Sequence, residues 1–189
     1  MTQRFRILGL SGSLRRAANS TAVLRGLKDA AAQIALNIFP LNDVPLYNED
    51  DDGEQSPQSV CALRSAIDVS DGVIMISPEY NHGMSGVLKN ALDWASRPYG
   101  RSVLRDKPVL TMTASPAFTG GARAQQQLNE TLASIPARLV LRPQIVIAGV
   151  HEKIQAGRLV DETSLRFALA GVDDLVDEIR ALRYLRSAA

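Results

Sequence analysis

"ILGLSGSLRRAANST", residues 7–21, joins a short apolar run to a small, hydroxyl-rich segment with two arginines, which then enters a helix. An apolar run without alternation, too short for a helix, reads as a strand covered on both faces, the pattern of a parallel sheet. The loop after it fails two phosphate-cradle templates. Gly9 and Gly12 are followed by Arg15 where a dinucleotide fingerprint needs its third glycine, and no GxxxxGK[ST] run is present. What remains is a helix N-terminus preceded by Ser11, Ser13, Ser20 and Thr21, with Arg15 and Arg16 at hand. Free backbone N–H groups, hydroxyls and the positive end of a helix dipole suit a terminal phosphate. An ordinary strand-to-helix turn capped by Asn19 or Ser20 reads equally well from this stretch alone.

The same strand signature recurs along the chain. With Arg6–Leu10, the runs Val73–Ser77, Val109–Thr113 and, less cleanly, Ile145–Gly149 read as buried strands. Ile34–Leu41 is a weaker fifth candidate that ends near Pro40. Helical spacing fills the gaps at Ser20–Gln33, Gln58–Val69, Gly86–Ala95 and Ala122–Ser134. The last helix carries Leu165, Leu169, Val172, Val176, Ile179 and Leu182 behind a Thr163 cap. Strand alternating with helix predicts βαβ units with right-handed crossovers and helices on both sheet faces, as one domain over residues 1–189. Pro143 removes a ladder hydrogen bond, so Arg138–Gly149 belongs at a sheet edge or contains a break. In such sheets ligands sit beyond the carboxyl ends of the strands. Ser11–Ser20, Ser77–Gly86 and Thr113–Arg123 lie there and are expected to form one site.

Composition narrows the function classes. Hydrophobic residues make up 46% and charged residues 22% of 189, the balance of a globular protein. A net charge of +1 without a cluster of Lys and Arg argues against nucleic-acid binding by phosphate neutralisation. The single Cys61 permits no internal disulfide and suits a reducing compartment. No stretch has the length of a membrane span, and the N-terminal apolar run is too short for a signal peptide. A cytoplasmic protein is expected.

"SPEYNHGMSGVLKNALDW", residues 77–94, is the more specific stretch. Pro78, Gly83 and Gly86 shape an exposed loop before a helix, and Glu79, Tyr80 and Asn81 bring polar and aromatic groups to the sheet centre. Together with "GSLR" at 12–15, "GxLKNALDW" at 86–94 and "GGAR" at 120–123, it makes the chain similar to the NADPH-dependent FMN reductase family. These flavodoxin-like proteins include quinone, chromate and azo-dye reductases. The order and spacing of the motifs match over essentially the whole chain. The resemblance implies an α/β three-layer sandwich with a five-stranded parallel sheet in the order 2-1-3-4-5. It implies that Ser11, Ser13, Arg15 and Ser20 surround an FMN phosphate, that Pro78, Glu79, Tyr80 and Asn81 hold the isoalloxazine largely through main-chain groups, and that Ser115 lies along its other edge. The chain departs from the family at Ala18-Asn19-Ser20, where Ser-x-Asn is usual. A hydroxyl is therefore missing at 18, and either Asn19 compensates for it or FMN binds more weakly.

The implied activity is transfer of hydride from NADPH or NADH through FMN to a quinone or similar small acceptor, free flavin, chromate and azo compounds among them. The chemistry resides on the flavin, so no catalytic acid or base is expected from the protein. His82 and Arg123 are candidates to touch substrate. A homodimer or homotetramer is expected, with neither nucleic acid nor membrane as partner. An FMN electron carrier serving a protein partner is the alternative, disfavoured because such carriers are strongly acidic. A serine hydrolase is weaker still, since GxSxG would need glycine at Val87. The acidic "EDDDGE" at 49–54 misses the bidentate Glu of a calcium loop, with Ser59 in its place, and reads as solvated loop. Neither His82 nor His151 has a second ligand at metal-binding spacing, so no metal site is expected. Cys61 reads as helix packing, and Trp94 as core or interface.

Overall fold

The computed structural model describes residues 4–188; Met1–Gln3 and Ala189 lie outside the described residues. The chain runs β1 (Phe5–Ser11), α1 (Asn19–Ala30), β2 (Ile34–Phe39), two single-turn 3-10 segments, α2 (Gln58–Asp68), β3 (Gly72–Ser77), β4 (Glu79–Tyr80), β5 (Gly83–Met84) and α3 (Gly86–Ala95). It continues with β6 (Pro108–Ala114), α4 (Ala122–Ser134), β7 (Arg138–Leu139), β8 (Val146–Ile147), a 3-10 turn at Val150–Lys153, β9 (Ile154–Gln155), β10 (Arg158–Leu159) and α5 (Glu162–Ser187).

The main sheet is parallel in the order β2-β1-β3-β6-β7, with β8 also paired to β6. Because successive side chains of a strand point to opposite faces, each buried strand feeds two cores. Ile7, Ile74, Ile76, Leu110 and Met112 join α1 and α5 through Val23, Leu24, Leu27, Val172 and Val176. Leu8, Leu10, Val73, Met75 and Val109 join α2, α3 and α4 through Leu63, Ile67, Leu88, Leu92 and Leu128. Every residue of β3 and β6 is buried, which is why neither strand alternates in sequence.

The expected fifth strand is two short ones. Both β7 and β8 pair with β6, at Pro108–Val109 and at Thr113–Ala114, and the chain between them leaves the ladder around Pro143. The fold class stands, with the last strand broken where proline forbids an internal ladder bond. The last helix starts earlier than its expected Thr163 cap. Asp161 is the N-cap, and its side chain accepts from the Ser164 N–H at 2.8 Å. Hydrogen bonding with the Ser164 side chain, then with its N–H, holds the Asp161 carboxyl below the ordinary carboxylate range.

Cys61 corrects a second expectation: it is exposed, off the buried stripe of Val60, Leu63 and Ile67. Trp94 is fully buried; its Nε1–H donates to the Pro45 carbonyl at 2.8 Å, and Tyr47 packs edge-on at 4.9 Å. In the acidic stretch, Asp52 accepts from Arg64 at 2.8 Å. Burial alone raises the Asp52 carboxyl, but the bonds from Arg64, the Gly53 N–H and Ser56 outweigh it and leave the group lowered.

Candidate functional site

Adjacent parallel strands β1, β3 and β6 end together, with Ser11 in register with Ile76 and Ser77 with Thr113. The three loops that follow therefore meet at one edge of the sheet. Contact between the first two is tight. The Gly12 N–H donates to the Ile76 carbonyl at 2.9 Å. A Cβ on Gly12 would sit 2.6 Å from Ser85 Oγ and 3.0 Å from Pro78 Cδ, so only glycine lets the backbone pass here.

In the first loop, two hydroxyls and a backbone N–H converge on Ser11. Its Oγ lies 2.7 Å from Ser20 Oγ and accepts from Thr21 Oγ1 at 2.9 Å. The Ser13 N–H approaches the same oxygen at 3.4 Å. Ser11 and Ser20 are buried, and Ser13 and Asn19 are partly so. Arg15 is exposed and folds back, its guanidinium donating to the Ala17 carbonyl at 3.2 Å. The residue before α1 is the buried Ala18, no side chain caps the helix, and its first turn holds no acid. The substitution at 18 thus leaves the helix end uncapped, which resolves the choice between a capped turn and an open one.

The second loop is a hairpin. Asn81 and His82, both at positive φ, connect β4 to β5 as the two-residue pattern of a type I′ turn requires. Ser77 Oγ donates to the Pro78 carbonyl and accepts from the Ser85 N–H, and Ser85 Oγ in turn caps α3 at the Leu88 N–H. The Glu79 carboxylate turns away from the edge and accepts from the Ala124 N–H at the start of α4, at 3.0 Å. Gln127 Oε1 accepts from the Met84 N–H at 2.8 Å, pinning the other hairpin strand to α4. His82 Nδ1 lies 2.6 Å from the Arg123 guanidinium and 3.8 Å from Glu79, a cluster on the α4 side in which His82 and Arg123 are exposed and Glu79 is largely covered.

The third loop follows β6. Ser115 is buried, its N–H donates to the Ile147 carbonyl, and its Oγ accepts from the Ala117 N–H. Gly121, at φ 94°, starts α4 where a Cβ would lie 3.0 Å from Thr113 Cβ. The structure therefore brings Ser11, Ser13, Arg15, Asn19 and Ser20 to one loop, with the Pro78–Asn81 hairpin and Ser115 along the same edge. It sets His82, Arg123 and the Glu79 carboxylate to the side. Thr21, Ser85 and Gln127 join the contacts at this edge. Thr21 stood among the loop hydroxyls in the sequence; Ser85 and Gln127 act across the fold.

A three-layer α/β sandwich with strand order 2-1-3 and its ligand-facing loops at the strand carboxyl ends defines a flavodoxin-like protein. Residues 5–152 match the family model for NADPH-dependent FMN reductase, and the chain belongs to that family. A quinone reductase from Pseudomonas putida is 34% identical over 185 residues, covering 97% of this chain and 99% of the relative. A quinone reductase from Escherichia coli K12 is 36% identical over 170 residues, 87% of this chain and 90% of that one. Among solved structures, the flavoenzyme NAD(P)H:(acceptor) oxidoreductase FerB from Paracoccus denitrificans superposes with a TM-score of 0.81 at 32% identity, covering 94% and 98% of the two chains. The protein is an FMN-dependent NAD(P)H oxidoreductase. The uncapped α1, the hydroxyl cluster and the backbone pass at Gly12 fit a group that ends in a phosphate monoester.

Proposed function

We propose that the chain, as one reductase domain, uses FMN to carry reducing equivalents from NAD(P)H to quinones. Bound FMN supplies hydride acceptance from the nicotinamide and delivery of two electrons onward. Ser11, Ser13, Ser20 and Thr21, with the N–H groups of the open α1 turn, would hold the phosphate, and Arg15 and Asn19 would add to its binding. The main chain of Pro78–Asn81 supports the ring on one edge and Ser115 on the other. His82 and Arg123 stand at the rim, where they meet the acceptor. One observation carries this reading: the Glu79 side chain is committed to α4, so the hairpin offers its peptide groups with exposed Tyr80 and Asn81 rather than a carboxylate. The quinone is supported by the relatives' activities. The exposed free thiol of Cys61 suits the cytoplasm, and exposed Tyr99 and Leu46 suit a homodimer or homotetramer. Cofactor released by heat and separated by chromatography tests the flavin, and NADPH oxidation with benzoquinone tests the reaction. Stoichiometric FAD, or no quinone-dependent turnover, would overturn it.

The hairpin yields a sharper test. Pro78 fixes its own φ and holds Ser77 extended, so it sets the direction in which the chain leaves β3. Pro78→Gly is expected to weaken FMN binding and slow flavin reduction more than Glu79→Gln does, because Gln retains an oxygen to accept from the Ala124 N–H. Flavin titration and stopped-flow reduction measure both. A large loss of turnover in Glu79→Gln at full FMN occupancy would show a carboxylate moving protons and end the main-chain account.

A further inference from the structure

Each of the three loops at the site edge leaves one large apolar side chain in solvent. Leu14 of the first loop is 44% exposed, Tyr80 of the hairpin 53% and Phe118 of the third loop 92%. Apolar residues scattered singly over a surface are ordinary, but a set gathered around one site marks where an apolar partner leaves water. Phe118 differs from the other phenylalanines. Phe5 and Phe39 pack against the two cores, and Phe167 lies under the Arg142 guanidinium at 5.3 Å. Phe118 has neither kind of neighbour, so its ring faces stay open.

The backbone beneath that ring is held. The Gly120 N–H donates to the Ala117 carbonyl at 3.1 Å, closing a turn with Phe118 and Thr119 at its tip. At the base, a Cβ on Gly120 would lie 2.9 Å from Val146 Cβ, and one on Gly121 would lie 3.4 Å from Glu79 Cβ. The turn is thus wedged between β8 and the hairpin, and it carries Phe118 outward.

We propose that Phe118 is a specificity-determining residue for the electron acceptor: its ring stacks on a flat acceptor, and Leu14 and Tyr80 complete an apolar mouth. Fused-ring quinones are then preferred over small or charged acceptors, an assignment that rests on the reading of the chain as an FMN-dependent quinone reductase. Ser115 lies along the cofactor's edge and Phe118 stands further out on the same loop, so the aromatic ring meets what arrives after the cofactor. Offset stacking adds to the gain from apolar area removed from water, and a naphthoquinone offers more of both than a benzoquinone.

Titration of the oxidised, flavin-loaded protein with 1,4-naphthoquinone tests this without turnover, flavin fluorescence giving the dissociation constant. In Phe118→Ala that constant is expected to rise at least about fivefold, while Phe118→Trp keeps it near the parent value. A substitution at an exposed turn leaves the fold alone, so FMN affinity and Tm should match the parent. In steady state, kcat/KM for naphthoquinone should fall by the same factor, and that for ferricyanide, which has no flat apolar face, by less than about twofold. Equal losses for the two acceptors, or an unchanged naphthoquinone constant in Phe118→Ala, overturn the inference. So does weakened FMN binding, which would assign the ring to the cofactor, or a changed oligomeric mass with acceptor binding intact, which would assign it to a contact between copies. A parent protein that purifies without flavin, or oxidises NADPH with neither acceptor, overturns the functional reading and this inference with it, so the two failures are separable.

Discussion

Gly12→Ala is expected to empty the flavin site while leaving the fold standing. The added Cβ would come within 2.6 Å of Ser85 Oγ and 3.0 Å of Pro78 Cδ, and the Ser77 backbone lies 3.3 Å away. Rotation of Ser85 relieves only the first contact and costs the α3 cap that its oxygen provides at Leu88. The proline ring and the backbone cannot rotate away, so the first loop must lift from the hairpin. Overpacking of this kind costs about 1–3 kcal/mol. Placed between the two loops that hold the cofactor, it should raise the FMN dissociation constant by roughly ten- to a hundredfold, since each 1.4 kcal/mol is a factor of ten. Fluorescence titration with FMN gives the constant, and circular dichroism checks the fold. Unaltered affinity would mean that the two loops do not share a ligand.

Trp94→Ala should produce the largest loss of stability. The indole is fully buried, donates to the Pro45 carbonyl, meets Tyr47 edge-on and lies under the Arg64 guanidinium. Truncating a buried tryptophan costs about 3–5 kcal/mol. In a chain of this length that lowers Tm by roughly 6–20 °C. Trp94→Phe keeps most of the volume but removes one of the two donors to the Pro45 carbonyl, the Asn90 amide remaining at 2.7 Å, so an intermediate shift is expected. Thermal unfolding by circular dichroism measures both. A change of Tm near zero in Trp94→Ala would show that the Pro45–Tyr47 segment is not anchored through this ring.

Much of this architecture could be read before any coordinates. Continuous apolar runs marked β1, β3 and β6 because strands covered on both faces have no reason to alternate, and parallel connection placed their loops on one edge. The loops' hydroxyls, glycines and the PEYN segment were equally plain. What escaped was set by neighbours distant in sequence. Glu79 reads as a site carboxylate until α4 arrives with an open N–H at Ala124, forty-five residues on. Gln127 gives no local sign that it will pin the hairpin at Met84. The hairpin itself has strands of two residues each, too short to carry a period. Cys61 was misread because it sits beside Val60, yet a helix turns about 100° per residue, which carries the thiol off the buried stripe. The choice of Thr163 over Asp161 reflects two adequate capping residues standing two apart, which sequence alone does not rank.

The broken strand beside β6 also bears on solubility. An unbroken outer strand would expose a row of unpaired N–H and C=O groups, a template on which another copy could add. Here β7 and β8 are two residues each, the chain between them leaves the ladder, and Pro143 has no N–H to offer. Arg138 on β7 is further engaged by Glu178, which places charge along the rim. The sheet therefore ends on this side in a boundary that resists strand addition.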